Sequence, residues 1–126
     1  MAAPRMFRVI AMSDKAMAQA KAHFEMYYTL TQELLKFINK ENIDEFLELE
    51  RQRSDLVARM KTLPETEVFR KTDECRELVG KIKPLDMQVV YKAKAWLNKS
   101  RQQNATVHAY DIQNMNSLGN IFNKKY

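Results

Sequence analysis

Glycine is nearly missing from this chain, with 2 in 126 residues, and proline is scarce at 3. Those residues build turns and sheet corners, so their shortage argues against a β-rich or loop-rich fold. The single cysteine, Cys75, cannot close an internal disulfide. No Cys/His cluster offers zinc ligands, and a reducing compartment is the expected setting. No run approaches the roughly 18 consecutive apolar residues of a membrane span. Two glycines also leave no room for a glycine-rich phosphate loop.

What is present suits a small helical domain. Hydrophobic residues make up 45% and charged residues 29%, enough for a core and too apolar for disorder throughout. The length fits one domain with loose ends. The formal net charge is +5. From Lys92 onward there are Lys92, Lys94, Lys99, Arg101, Lys124 and Lys125 against Asp111 alone, while residues 1–91 balance. A basic last third is either a solvated lysine-rich face or a surface for an acidic partner. The basic residues are spaced and follow no nucleic-acid fold motif, so nucleic acid is a minor reading.

The start, "MAAPRMFRVIAMS", has two arginines and no acid, faintly like a transit peptide, but its apolar run is too short for a secretory signal. Residues 1–12 are expected to form a flexible arm. The first periodic stretch then runs from Ser13 to about Lys40. Met17, Ala20, Phe24, Tyr27, Thr31, Leu34 and Ile38 recur at three-four spacing on one stripe. Ser13 is the expected N-cap, with Asp14 in the first turn. Tyr28, Leu30, Leu35 and Phe37 widen the stripe, which calls for more than one neighbour or for a neighbour and a groove.

Asn42 followed by Glu45 has capping-box spacing and opens a second helix. Phe46, Leu49, Leu56, Met60 and Leu63 carry its stripe until Pro64, whose preceding residue is pushed out of the α region. Arg53 stands where a leucine is expected. It either pairs with Glu50 along the helix or fixes register through a carboxylate across the interface. A third seam, Val68, Cys75, Leu78, Ile82, Leu85, Val89 and Trp96, continues through Pro84. The residue four before that proline is Gly80, which tolerates the local distortion, so the helix is kinked or split there. The pattern weakens near Ala109, and "DIQNMNSLGN" reads as loop or frayed tail. The expected architecture is therefore all-α: an antiparallel up-down bundle of three to four helices with a long first helix. Its domain plan is an arm over 1–12, a bundle over 13–110 and a flexible tail over 111–126.

A catalytic constellation is not legible. His23 and His108 stand apart without acids at ligand spacing, and Cys75 lies on an apolar seam as a small hydrophobe. Glu45, Glu48 and Glu50 suit a helix N-terminus and a solvated face. The chain is read as a non-enzyme with no metal and no cofactor. Eight methionines, among them Met12, Met17, Met26, Met60 and Met87, either fill the core or line an adaptable groove. Tyr27-Tyr28, Tyr91 and Trp96 suit interfaces and bundle cores alike.

The stretch "LTQELLKFINKENIDEFLELERQRSDLVARM" resembles the helix-turn-helix start of the FliT-type flagellar export chaperones, with Leu49, Arg53, Leu56 and Val57 at the characteristic leucine, arginine and leucine-pair places. "HAY" followed by "GNIFNKKY" is similar to the tails of that family, which order a tyrosine, a linker, a phenylalanine and lysines as Tyr110, Phe122, Asn123, Lys124 and Lys125 do here. The resemblance covers about three quarters of the chain, from Leu30 onward. FlgN-type chaperones have a similar architecture. The resemblance implies a cytoplasmic chaperone for a late export substrate, the filament-cap protein bound through its C-terminal segment. Further implied partners are the export ATPase complex and, in some members, a flagellar transcriptional activator.

A client segment with an apolar stripe can lie in a groove between long helices. Tyr28, Leu35, Val90, Tyr91 and Leu97, beside the main seams, are the expected groove. Tyr110, Ile121, Phe122, Lys124 and Lys125 would make the tail either a cover for that groove or a docking peptide for the export machinery. Two other classes compete: a structural bundle that dimerises through the wide face of its first helix, and a basic helical nucleic-acid binder.

Overall fold

The computed structural model describes the backbone of residues 3–103 and the side chains of residues 14–102. Four helices follow one another: α1 (Ala3–Asn39), α2 (Ile43–Lys61), α3 (Pro64–Arg70) and α4 (Asp73–Gln103). The described residues hold no strand.

Helix α1 starts ten residues earlier than its periodicity suggests, so Ser13 lies inside the helix and not at its start. The stretch expected as a loose arm continues α1 back to Ala3. Pro4 falls in the first turn, where its missing N–H costs nothing, and no glycine or proline interrupts the run that follows. At 1.5 Å per residue, α1 is roughly 55 Å long.

Residues 40–42 turn the chain sharply. The Glu41 N–H donates to Ile38 O at 3.0 Å and the Asn42 N–H to Phe37 O at 3.0 Å, the paired bonds of a Schellman motif. Glu41 takes the left-handed position, at φ 56°, where glycine is usual. Asn42 then caps α2 as expected, its side chain accepting from the Glu45 N–H at 3.4 Å. Helix α2 ends at Lys61, and Pro64 opens the next helix from its first position, so it starts one element more than it stops another. Thr72 separates α3 from α4. Its hydroxyl accepts from the Cys75 N–H at 3.1 Å and donates to Phe69 O at 2.7 Å.

That break resets the helical register. Val68, assigned to the third seam by sequence, is 46% exposed, and Phe69 enters the core in its place. From Cys75 onward the seam is as expected: Cys75, Ile82 and Val89 are buried, with Leu78, Leu85 and Trp96 half-buried. Helix α4 runs through Pro84 without interruption, so the chain is not split there. Residues 104–110 of the expected bundle and the whole expected tail lie outside the described residues.

Helix α1 is the hub, packed along α2, α3 and α4. Lys21 meets Glu74 at 3.0 Å and Glu41 meets Lys99 at 3.2 Å, so α4 runs parallel to α1 and antiparallel to α2. The three long helices form an up-down-up bundle, with α3 as the short crossing link. One apolar cluster gathers Phe24, Tyr27, Leu56, Met60, Phe69 and Ile82; the other gathers Leu34, Ile38, Phe46, Val89 and Ala93. The Phe24 and Phe69 rings tilt at 49° with centroids 5.3 Å apart, which contributes about 0.5–1.5 kcal/mol beyond burial.

A polar layer sits between the two clusters. Arg53 is 0% exposed, and its Nη1 donates to Thr31 Oγ1 at 2.9 Å and to Asp86 Oδ1 at 3.0 Å. The Thr31 hydroxyl donates in turn to Tyr27 O at 2.8 Å, and the guanidinium lies 4.9 Å from the centre of the Tyr27 ring. The carboxylate expected to hold Arg53 is thus Asp86, brought from α4. Three helices meet in one charged layer, and sliding any of them by a turn would strand the guanidinium in apolar surroundings.

Candidate functional site

Among the described residues the chemistry-bearing groups stand apart from one another. His23 is half-buried on α1, and His108 lies outside the described residues. Burial pushes the Cys75 thiol up to about 11, with the cations of Arg70 and Arg76 only partly opposing it, so the group stays a protonated hydrophobe. Among the described residues no three His, Cys, Asp or Glu side chains are grouped to hold a metal ion. Asp86 has its pKa raised by burial, against the pull of Arg53, but its oxygen is committed to the bundle's own layer.

The informative surface is α4. Its inner face belongs to the core, yet Met87 is 72% exposed and Tyr91 74% exposed, the two most exposed large hydrophobics described. Their positions follow from geometry: an α-helix turns about 100° per residue, which carries 87 and 91 to the side opposite Ile82, Val89 and Ala93. Beside Tyr91 an open depression of about 270 Å³ lies between the end of α1 and the last third of α4. Ile38, Ala95 and Trp96 provide its apolar wall, and Asn39, Glu41, Lys92 and Lys99 its polar rim. That is small and open for an enclosed small-molecule site, which is typically ~300–1,000 Å³. It fits a side chain presented by another polypeptide.

The five residues expected to form a groove separate into different places. Tyr28 packs on the Phe24 cluster, while Leu35 and Val90 pack on the Leu34 cluster. Leu97 is buried, and Tyr91 stands on the surface at the depression. Tyr110, Ile121, Phe122, Lys124 and Lys125 lie outside the described residues. Met87, Ala95 and Trp96 join Tyr91 at this surface; a helical wheel of α4 centred on Tyr91 was the signal that would have found them. The methionines divide: Met60 is core, whereas Met26 and Met87 are exposed.

A family model described as flagellar protein FliT matches residues 21–113. The chain belongs to the FliT family. Its role is accordingly that of a flagellar export chaperone, with flagellar export substrates as its class of partner. The matched span takes in most of α1, all of α2, α3 and α4, and hence the exposed surface of α4. Comparison with curated proteins and with solved structures finds no match. No described helix is long and apolar enough to cross a membrane.

Proposed function

We propose that this FliT-family chaperone works in the cytoplasm, where it holds an amphipathic segment of a late flagellar export substrate against the surface around Tyr91. The favoured client is the C-terminal segment of the filament-cap protein. The observation that carries this reading is the pair Met87 and Tyr91, large side chains left in water on a helix whose other face is already satisfied by the core. Covering them with a client's apolar stripe removes apolar area from both partners, worth roughly 25 cal/mol per Å² before ordering costs. The client is thereby kept from pairing with other unfolded chains until it reaches the export ATPase complex.

Leu35 and Val90 support the surface from beneath, and Tyr28 and Leu97 set the helix packing that shapes it. The tail residues Tyr110, Ile121, Phe122, Lys124 and Lys125 act on the same surface: Ile121 and Phe122 cover it when no client is bound. Calorimetric titration of the full chain with the filament-cap C-terminal segment tests the reading. Tyr91→Ser combined with Met87→Ser abolishes binding while leaving the thermal melt unchanged. Equal affinity of the double variant and the parent defeats the assignment of this surface. Deleting Ser117–Tyr126 tightens binding if the tail is a cover; weaker or unchanged affinity counts against a cover and leaves docking on the export machinery as the tail's other role.

A further inference from the structure

The exposed face of α4 carries two residues that are unusual in a helix interior. Gly80 sits in the helix interior, exposed, and a Cβ built on it meets nothing within 4 Å. Pro84, also exposed, lies inside the same helix, where it removes a backbone donor. Departures of this kind belong to functional surfaces. On the wheel they fall in line with the exposed apolar pair: Gly80, Pro84, Met87, Tyr91 and Ala95 follow at intervals of four, three, four and four. The stripe is therefore two bulky side chains set between small or backbone-exposing positions. Small residues in such a stripe let a second helix approach closely, as they do where helix backbones pack tightly.

The borders of the stripe are charged with one sign. Lys81, Lys92 and Lys99 run along one edge, and Lys83, Lys94 and Arg101 along the other, all exposed. From Gly80 to Gln103 the sole acid is Asp86, which faces inward onto Arg53. Lys99 is partly answered by Glu41 of the α1–α2 turn. A second copy of this chain would bring lysine edges against lysine edges, so self-pairing along α4 is disfavoured. A lipid surface accepts the charge, but the stripe offers one methionine and one tyrosine where interfacial helices carry several bulky anchors.

We infer that the stripe Gly80–Ala95 docks a partner helix whose own apolar stripe is flanked by Asp and Glu on both edges, with the closest backbone approach at Gly80. The inference rests on the carrier reading and supplies the chemical class of the segment carried. Apolar contact at Met87 and Tyr91 provides affinity, and the two lysine edges select the sign of the partner.

Three 20-residue probe peptides test it by fluorescence anisotropy against the full chain: an amphipathic helix with a leucine-alanine stripe and glutamate flanks, the same stripe with lysine flanks, and glutamate flanks with a serine stripe. The first binds, and the other two bind at least about tenfold more weakly. The quadruple variant Lys81→Glu, Lys83→Glu, Lys92→Glu, Lys94→Glu loses the first peptide and gains the lysine-flanked one. Gly80→Leu abolishes binding of the first peptide. Gly80→Ala, which fits the empty space, raises the thermal midpoint of the chain and still weakens binding, so lost affinity is separated from lost folding. Equal binding of glutamate- and lysine-flanked peptides, or a charge-reversed variant that still prefers glutamate, overturns the inference. So does tight binding to phosphatidylserine vesicles with no peptide binding. Export-substrate segments that bind the chain but ignore charge reversal overturn this inference and leave the carrier reading intact. Binding of the acidic helix to α4 with no export substrate recognised overturns the carrier reading alone.

Discussion

Replacing Asp86 by alanine leaves the Arg53 guanidinium inside the bundle without its carboxylate. Arg53 is 0% exposed and Asp86 only 21%, and the two meet at 3.0 Å. At an effective dielectric of about 20 the gross attraction across that distance is about 5.5 kcal/mol, most of it offset by the cost of drying both charges. After the substitution the cation keeps the Thr31 hydroxyl at 2.9 Å and the Tyr27 ring at 4.9 Å, neither of them the carboxylate that Asp86 supplied. Stranding a buried charge in this way typically costs ~3–5 kcal/mol. Arg53→Met costs less, because Asp86 reaches solvent and its pKa is already raised by burial; without the arginine it rises further. The sign of the pH effect follows: a carboxyl whose folded pKa lies above its unfolded value binds the proton more tightly when folded, so Arg53→Met loses stability as pH rises through the raised value. Arg53→Met with Asp86→Leu and Thr31→Val replaces the whole layer by apolar groups and is neutral or up to ~4 kcal/mol more stable than the parent. Urea unfolding of the four proteins at pH 7 measures this. An Asp86→Ala cost below ~1 kcal/mol, or a triple variant no more stable than Asp86→Ala, refutes the account of the polar layer.

Glu41→Gly relieves a left-handed residue at the α1–α2 turn and removes the Lys99 contact; the strain of ~1–2 kcal/mol exceeds an exposed ion pair of ~0–1 kcal/mol, so thermal melts show a net gain. Pro84→Ala restores a helix-interior donor on an exposed face and stabilises α4 by up to ~3 kcal/mol in urea unfolding; a destabilised variant refutes the placement of Pro84 in an unbroken helix. Glu48, held down to about 2 first by its hydrogen bonds to Arg51 and then to Gln52, returns toward the ordinary glutamate value of about 4.3 in Arg51→Ala, read by carbon-detected NMR titration. Its contribution to stability is present above the unfolded value and is lost as pH falls toward 2. Cys75 reacts with a water-soluble maleimide only on unfolding; rapid labelling of the native chain contradicts its burial.

Local chemistry was legible wherever a few neighbouring residues decide the outcome. Asn42 and Glu45 mark the start of α2 because a cap is made within four residues, and the three-four spacing marks Phe24, Leu34, Phe46 and Ile82 as core because they share one helical face. The end of α1 was read correctly and its beginning was not, since Ser13 can cap a helix but nothing upstream obliges one to begin there. The third seam failed at Val68 for a related reason: Pro64 starts a short helix and Thr72 a new one, and a register cannot be carried across two helix ends.

The candidate surface was less legible. Tyr28, Leu35, Val90, Tyr91 and Leu97 all lie beside the seams, and periodicity cannot say which side of a wide stripe a neighbour covers. The sequence by itself determined the Asn42 cap, the apolar faces of the three long helices and the lysine edges of α4, since these depend on residues within one or two turns of each other. Only the tertiary structure decided that Arg53 answers Asp86 from 33 residues away, that Leu97 is sealed, and that Met87 and Tyr91 are left in water. Those outcomes depend on how α2 and α4 settle around α1, and a helix carries no local record of the side from which its partner arrives.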